Sequence, residues 1–151
     1  MRFDVVTIFP AMFDAVSEWG ISSRALQRGL WQLHRWNPRD YARDAYRSID
    51  DRPYGGGQGM VMLPETLADT LQAVAAAQGE PRAPVIHLTP RGRPLDQAHA
   101  RDLSNLPALT LLASRYEAVD QRLLDRHVDD EISIGDFVVS GGELPAMLLI
   151  D

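Results

Sequence analysis

Apolar positions along the chain follow two periods. "FDVVTIF" (3–9) is short, apolar and rich in β-formers, and Pro10 ends it, which predicts a buried strand. The apolar spacing of "AMFDAVSEW" (11–19) predicts a helix stopping at Gly20, and "SSRALQRG" (22–29) a second helix capped by Gly29. "LWQLHRW" (30–36) alternates as a strand does and is closed by Asn37 and Pro38. Residues 37–60 show no clear period. "LPETLADTLQAVAAAQG" (63–79) is the strongest helix, with Pro64 early and Gly79 at its end. Strands are expected at 83–89, 108–114 and 131–139, the last kinked at Gly135. Helices are expected at 94–106 and 118–128, and "SGGELPAMLLID" opens a final one.

Strands that alternate with helices predict an α/β domain with a mainly parallel sheet flanked by helices. Ligands of such sheets bind in loops beyond the carboxyl ends of strands. Three loops qualify: "TPRGRP" (89–94), "SRYEA" (114–118) and "VSGGELP" (139–145).

Composition narrows the function classes. The 151 residues predict one domain, 1–151, with a proper core. There is no run of 18 apolar residues, so no membrane span is expected. The absence of cysteine excludes disulfides, zinc–thiolate sites and Cys nucleophiles, and fits a reducing cytoplasm. His34, His87, His99 and His127 lack paired spacing, so no metal site is expected. The net charge of −6 argues against a generic nucleic-acid coat but allows a local basic patch. All 15 basic residues are arginine, which suits phosphate contacts but is also what a compositional bias produces.

Four segments carry candidate chemistry. "SGGE" (140–143) has capping-box spacing, with Ser140 capping and Glu143 reaching back; its two glycines would equally let a ligand approach backbone N–H groups. "RPYGGGQGM" (52–60) packs four glycines into five positions, fits neither a Walker loop nor a dinucleotide turn, and is led in by Arg52, Pro53 and Tyr54. Arg35, Arg39, Arg43 and Arg47 recur every four residues, offset by Asp40 and Asp44, as a salt-bridged face or a phosphate-facing patch. "RYE" (115–117) follows an apolar strand and could read a planar polar ligand.

Taken together, "DDRPYGGGQGM" (50–60), "RYE" and "SIGDFVVSGGELPAM" (133–147) resemble, in order and spacing, the bacterial tRNA (guanine-N-1-)-methyltransferases called TrmD. "TIFPAMFDA", "NPRDYA" and "LTPRGRPLDQ" match as well, so the resemblance covers the chain. It implies a SPOUT fold with a C-terminal trefoil knot that binds S-adenosylmethionine. Carried over by motif, the cofactor would meet Leu88, Thr89 and Pro90, then Ser114, Tyr116 and Glu117. It would also meet Ile134, Gly135, Asp136, Phe137, Val138 and Val139, and the turn of Gly141, Gly142 and Pro145. The acceptor would be N-1 of the guanosine at position 37 of tRNA, with Glu117 at that base and Arg52 and Tyr54 toward the tRNA.

The resemblance further implies a cytoplasmic homodimer. It places the general base, an Asp, and a tRNA-gripping domain beyond Asp151, so the chain alone is expected to be inactive. Gly141→Val is expected to abolish cofactor binding by filling ligand space. The chain departs from the family at Ser114 and Ala118, where glycines are usual, and mildly at Phe137, where Tyr is commoner. A positive φ at 114 or 118 would cost about 1 kcal/mol or more, and a hydroxymethyl at 114 could crowd the ligand. That leaves a second reading, a non-catalytic RNA-binding or dimerisation module that has lost cofactor binding.

Overall fold

A computed structural model describes residues 1–151. Its centre is a five-stranded sheet, all parallel, in the order β2-β1-β6-β5-β8. The strands are β1 (Arg2–Val6), β2 (Gln32–Trp36), β5 (Val85–Pro94), β6 (Ala108–Leu112) and β8 (Asp130–Ser133). A small second sheet joins β3 (Asp50–Asp51), β4 (Val61–Met62) and β7 (Ala118–Val119).

Side chains alternate across a strand, and here both faces are apolar. Phe3, Val5, Leu109, Leu111 and Ile86 form one core with Phe13, Leu103 and Ala146. Val6, Leu112 and Val85 form the other with Leu67, Leu71, Val74, Leu123 and Leu124. The first face is covered by α1 (Asp14–Ser17), α2 (Gly20–Gln27), α4 (Gln97–Ser104) and α6 (Glu143–Ile150). The second is covered by α3 (Pro64–Gln78) and α5 (Gln121–His127). Burial on both faces explains why the strands read as apolar runs.

Local signals behave as their chemistry dictates at most ends. Pro64 opens α3, and Gly79 closes it at φ 77°. Asp96 caps α4 by accepting from the His99 N–H at 2.7 Å. The Asp120 carboxylate caps α5; its hydrogen bond from Arg122 holds its pKa down at about 2.

Four expectations need correction. The 11–19 helix is a 3-10 turn (Pro10–Phe13) followed by α1, which ends at Ser17, and Gly20 starts a helix rather than stopping one. The 94–106 helix starts only at Gln97, because β5 continues through "TPRGRP". The 118–128 helix loses its first turn to β7, where Ala118 and Val119 pair with Val61 and Met62. The strand expected at 131–139 ends at Ser133, whose hydroxyl donates to the Gly135 carbonyl at 2.9 Å and turns the chain out of the sheet.

One pairing is unusual. Leu88 and Arg93 are both opposite Ile132 of β8. Between them Gly92 lies so close to the Glu131–Ile132 peptide that a Cβ there would sit 2.5 Å from its atoms.

Candidate functional site

Parallel strands end on one side, so the middle of β5 (Leu88–Pro90) and the segments after β6 and β8 share an edge of the domain. Between them lies a cleft of about 260 Å3, near the lower end of the range of about 300–1,000 Å3 for small-molecule sites. Leu88, Thr89 and Pro90 line it from the first segment, and Ser114, Tyr116 and Glu117 from the second. Ile134, Phe137, Val138, Val139, Gly141, Gly142 and Pro145 line it from the third. The structure does not bring Gly135 or Asp136 into the lining: Asp136 is exposed, and Gly135 lies under the Phe137 ring, where a Cβ would come within 2.5 Å of a ring carbon.

Gly142 makes the close approach possible. A Cβ on Gly142 would lie 2.7 Å from the Ala113 Cα and 3.0 Å from the Ser114 nitrogen, both backbone. The Gly142 N–H donates to the Ser114 carbonyl at 2.9 Å, which pins the second and third loops together. The capping box does not form. Gly142 itself is the N-cap of α6, with no side-chain cap. The fully buried Glu143 instead accepts from Thr7 Oγ1 at 2.9 Å and Arg115 Nε at 2.8 Å. The Ser140 carbonyl oxygen accepts from Arg115 Nη1 at 3.1 Å.

Gly141 also plays a different part from the one expected. A Cβ there would meet Arg115 Nε at 2.2 Å, so a side chain displaces the guanidinium before it reaches ligand space. Neither Ser114 nor Ala118 has a positive φ; in this segment only Tyr116 does, at 66°. The backbone cost expected from the two missing glycines is therefore absent. Ser114 turns its hydroxyl toward His87 Nε2, 2.8 Å away. Burial raises the Tyr116 phenol pKa, and the charge and hydrogen bonding of Asp50 add to that rise.

The glycine loop meets "RYE" at the mouth. The Glu117 N–H donates to the Met60 carbonyl at 3.0 Å, and Gly59 lies so close that its Cβ would stand 2.2 Å from Glu117 Cγ. Glu117 is thus held at the rim by residues almost sixty positions earlier. Arg52 and Tyr54, in the same loop, are exposed beyond it. Most of the arginine row is committed to carboxylates, as a salt-bridged face requires: Arg35 to Asp14, Arg43 to Asp69 and Arg47 to Asp40. Arg52 makes no ion pair.

Sequence reasoning missed His87, Arg91, Ala118, Val119, Ile132, Ser133 and Ser140, all of which line the cleft. His87 did carry a signal, a polar residue inside the apolar run "PVIHLT", but its partners are distant in the chain.

A parallel α/β sheet with a partly apolar cleft at its strand ends is the usual setting of a small-molecule site in α/β domains. Residues 1–151 match the family model for tRNA (Guanine-1)-methyltransferase TrmD, and the chain belongs to that family. It is 56% identical, over 151 residues and 100% of its length, to a tRNA (guanine-N(1)-)-methyltransferase of Ralstonia nicotianae, spanning 58% of that protein. It is also 56% identical to one of Pseudomonas fluorescens strain SBW25, spanning 60% of it. The chain thus spans less than two thirds of the length of these relatives. Its fold is similar to the crystal structure of tRNA (m1G37) methyltransferase from Aquifex aeolicus, with a TM-score of 0.89 at 36% identity, covering 100% of this chain and 67% of the other. No helix is long and apolar enough to cross a membrane.

Proposed function

We propose that this chain is the methyl-donor-binding part of an enzyme that methylates N-1 of guanosine at position 37 of tRNA, with S-adenosylmethionine as donor. The observation that carries this reading is the convergence of three segments, distant in sequence, on one cleft. The lining suits the donor. Leu88, Pro90, Ile134, Val139 and Pro145 offer apolar surface for a planar base, while Thr89, Ser114 and Ser140 offer hydroxyls for a ribose or an amino acid end. The close-packed backbone at Gly142 lets the loops approach one another with no side chain between them.

A sulfonium methyl is already activated when the donor is bound, so the protein's task is mainly alignment. Guanine N-1 carries a proton, and removing it is worth typically ~10²–10⁴-fold. Glu117, held at the rim by the glycine loop, contacts the acceptor base in this reading. Arg52 and Tyr54, exposed on that loop, face the tRNA. The general base is assigned to a residue outside 1–151. The family's trefoil knot is part of the same proposal. It is supported by Ile132 pairing with both Leu88 and Arg93, which carries the chain across β8 between them.

A homodimer in the cytoplasm completes the reading. It is favoured by Phe9, Trp19, Ile21, Leu144 and Leu148, all exposed large apolar residues. Those on α6 neighbour α2, since Ser22 hydrogen-bonds Asp151. Large apolar residues exposed together in one patch mark an interface.

The placement of the general base is tested with radiolabelled S-adenosylmethionine and a tRNA carrying guanosine at position 37. The 151-residue chain, run as a dimer in sedimentation equilibrium, is expected to transfer no label. Transfer by this chain would place the base within 1–151 and overturn its assignment. A monomer at micromolar concentration would remove the dimer.

A further inference from the structure

The proposed function leaves unused a string of hydrogen bonds that ends in the cleft. His87 stands on β5 and is 3% exposed. Its Nδ1 lies 2.9 Å from Glu131 Oε1 on β8, and its Nε2 lies 2.8 Å from Ser114 Oγ just past β6. The chemistry of the three groups fixes the direction of every proton. An ionised carboxylate can only accept, so the ring proton sits on Nδ1. A neutral imidazole then offers a lone pair at Nε2, and Ser114 gives it the one hydrogen of its hydroxyl. Toward the cleft, which both His87 and Ser114 line, the serine oxygen is left with acceptor capacity alone.

We propose that Ser114 is a specificity-determining residue that accepts a hydrogen bond from an O–H or N–H group of the bound nucleoside methyl donor, with His87 and Glu131 as the positioning residues that set its polarity. The inference rests on the reading of the cleft as the donor site. It assigns a role to a side chain where the family usually has none.

The charged and titratable groups facing His87 are Glu131 from β8 and Arg91 from the far part of β5. Burial holds the imidazole below its ordinary value; hydrogen bonding and charge from Glu131 oppose this, and the Arg91 charge adds to it. At neutral pH the ring is therefore neutral and Ser114 is an acceptor. In acid, Nε2 gains a proton and donates to Ser114 Oγ. The hydroxyl hydrogen then turns into the cleft, and the acceptor becomes a donor beside a new positive charge.

The test is calorimetric titration with S-adenosylhomocysteine between about pH 5 and 8, for the wild-type chain, Ser114→Ala and His87→Phe. Wild type is expected to bind best at neutral pH and to weaken several-fold toward acid. Ser114→Ala is expected to bind roughly tenfold more weakly at neutral pH, the loss of about one hydrogen bond, with a flattened acid dependence. His87→Phe puts a flat ring with no titrating nitrogen in its place, and is expected to show no dependence. If it does not fold, Ser114→Ala against wild type still decides. Neutral-pH affinity of Ser114→Ala equal to wild type overturns the inference while leaving the donor site in place. No binding by wild type at any pH removes the donor site itself, and this inference with it.

Discussion

Gly142→Val is expected to reduce binding of S-adenosylhomocysteine by at least ~100-fold, which is about 2.7 kcal/mol, in a chain that still folds. The argument is geometric. The first atom of any side chain at 142 would lie 2.7 Å from the Ala113 Cα and 3.0 Å from both the Ala113 carbonyl carbon and the Ser114 nitrogen. These are backbone atoms just past β6, where Ala113 is fully buried, and they cannot swing away. The loop after β8 must instead lift off the loop after β6, breaking the 2.9 Å bond from Gly142 N to Ser114 O and spreading the cleft. Overpacking of this kind costs about 1–3 kcal/mol of stability, so a chemical-denaturation curve should shift without losing its cooperativity. Gly141→Val is expected to be milder on binding but not on stability, because the group in its way is the Arg115 side chain, whose displacement breaks its pair with Glu143. Equal affinity in Gly142→Val and wild type, by the same calorimetric titration, would contradict this account of how the loops meet.

The largest stability effect is expected at Glu143. It is fully buried, and its two oxygens are both committed, Oε1 to Thr7 and Oε2 to Arg115. Arg115 is itself mostly buried, with 18% of its side chain exposed, and lies 4.8 Å over the Phe9 ring. Removing one partner of a buried pair leaves the other charge uncompensated, and typically costs about 3–5 kcal/mol. Glu143→Ala should lose that much in guanidinium unfolding. Glu143→Leu combined with Arg115→Met should recover part of it, because the stranded charge is gone. A loss below about 1 kcal/mol would mean that the pair behaves as a surface ion pair and does not tie α6 to β1 and the loop after β6.

Legibility in the sequence followed the range of the interactions. "FDVVTIF" and "LPETLADTLQAVAAAQG" carry their own periods and become β1 and α3, and the sheet class follows from their alternation. The loops after β6 and β8 were legible because parallel strands end together; "TPRGRP" reads as a loop but is part of β5. Errors arose where a tertiary partner overrode a local rule. Glu143 has the spacing of a capping residue, but Arg115 and Thr7 are better partners for a carboxylate that is out of water. Ala118 and Val119 fit the start of a helix, yet they pair with Val61 and Met62, distant in sequence. Phe137, Val138 and Val139 look like strand because they are apolar; they face the cleft instead, which demands the same chemistry. His87 looked isolated because its partners, Glu131 and Ser114, lie 44 and 27 residues away. The contact of Gly59 with Glu117 is equally long in range; the motifs signal that both segments matter, and only the fold brings them together.

The most direct test of the central claim is calorimetric titration of the folded wild-type chain with S-adenosylhomocysteine at neutral pH. The account predicts saturable binding with Kd on the order of micromolar, about −8 kcal/mol. A chain that shows its full helical circular-dichroism signal and a cooperative unfolding transition, yet releases no heat of binding, would contradict it.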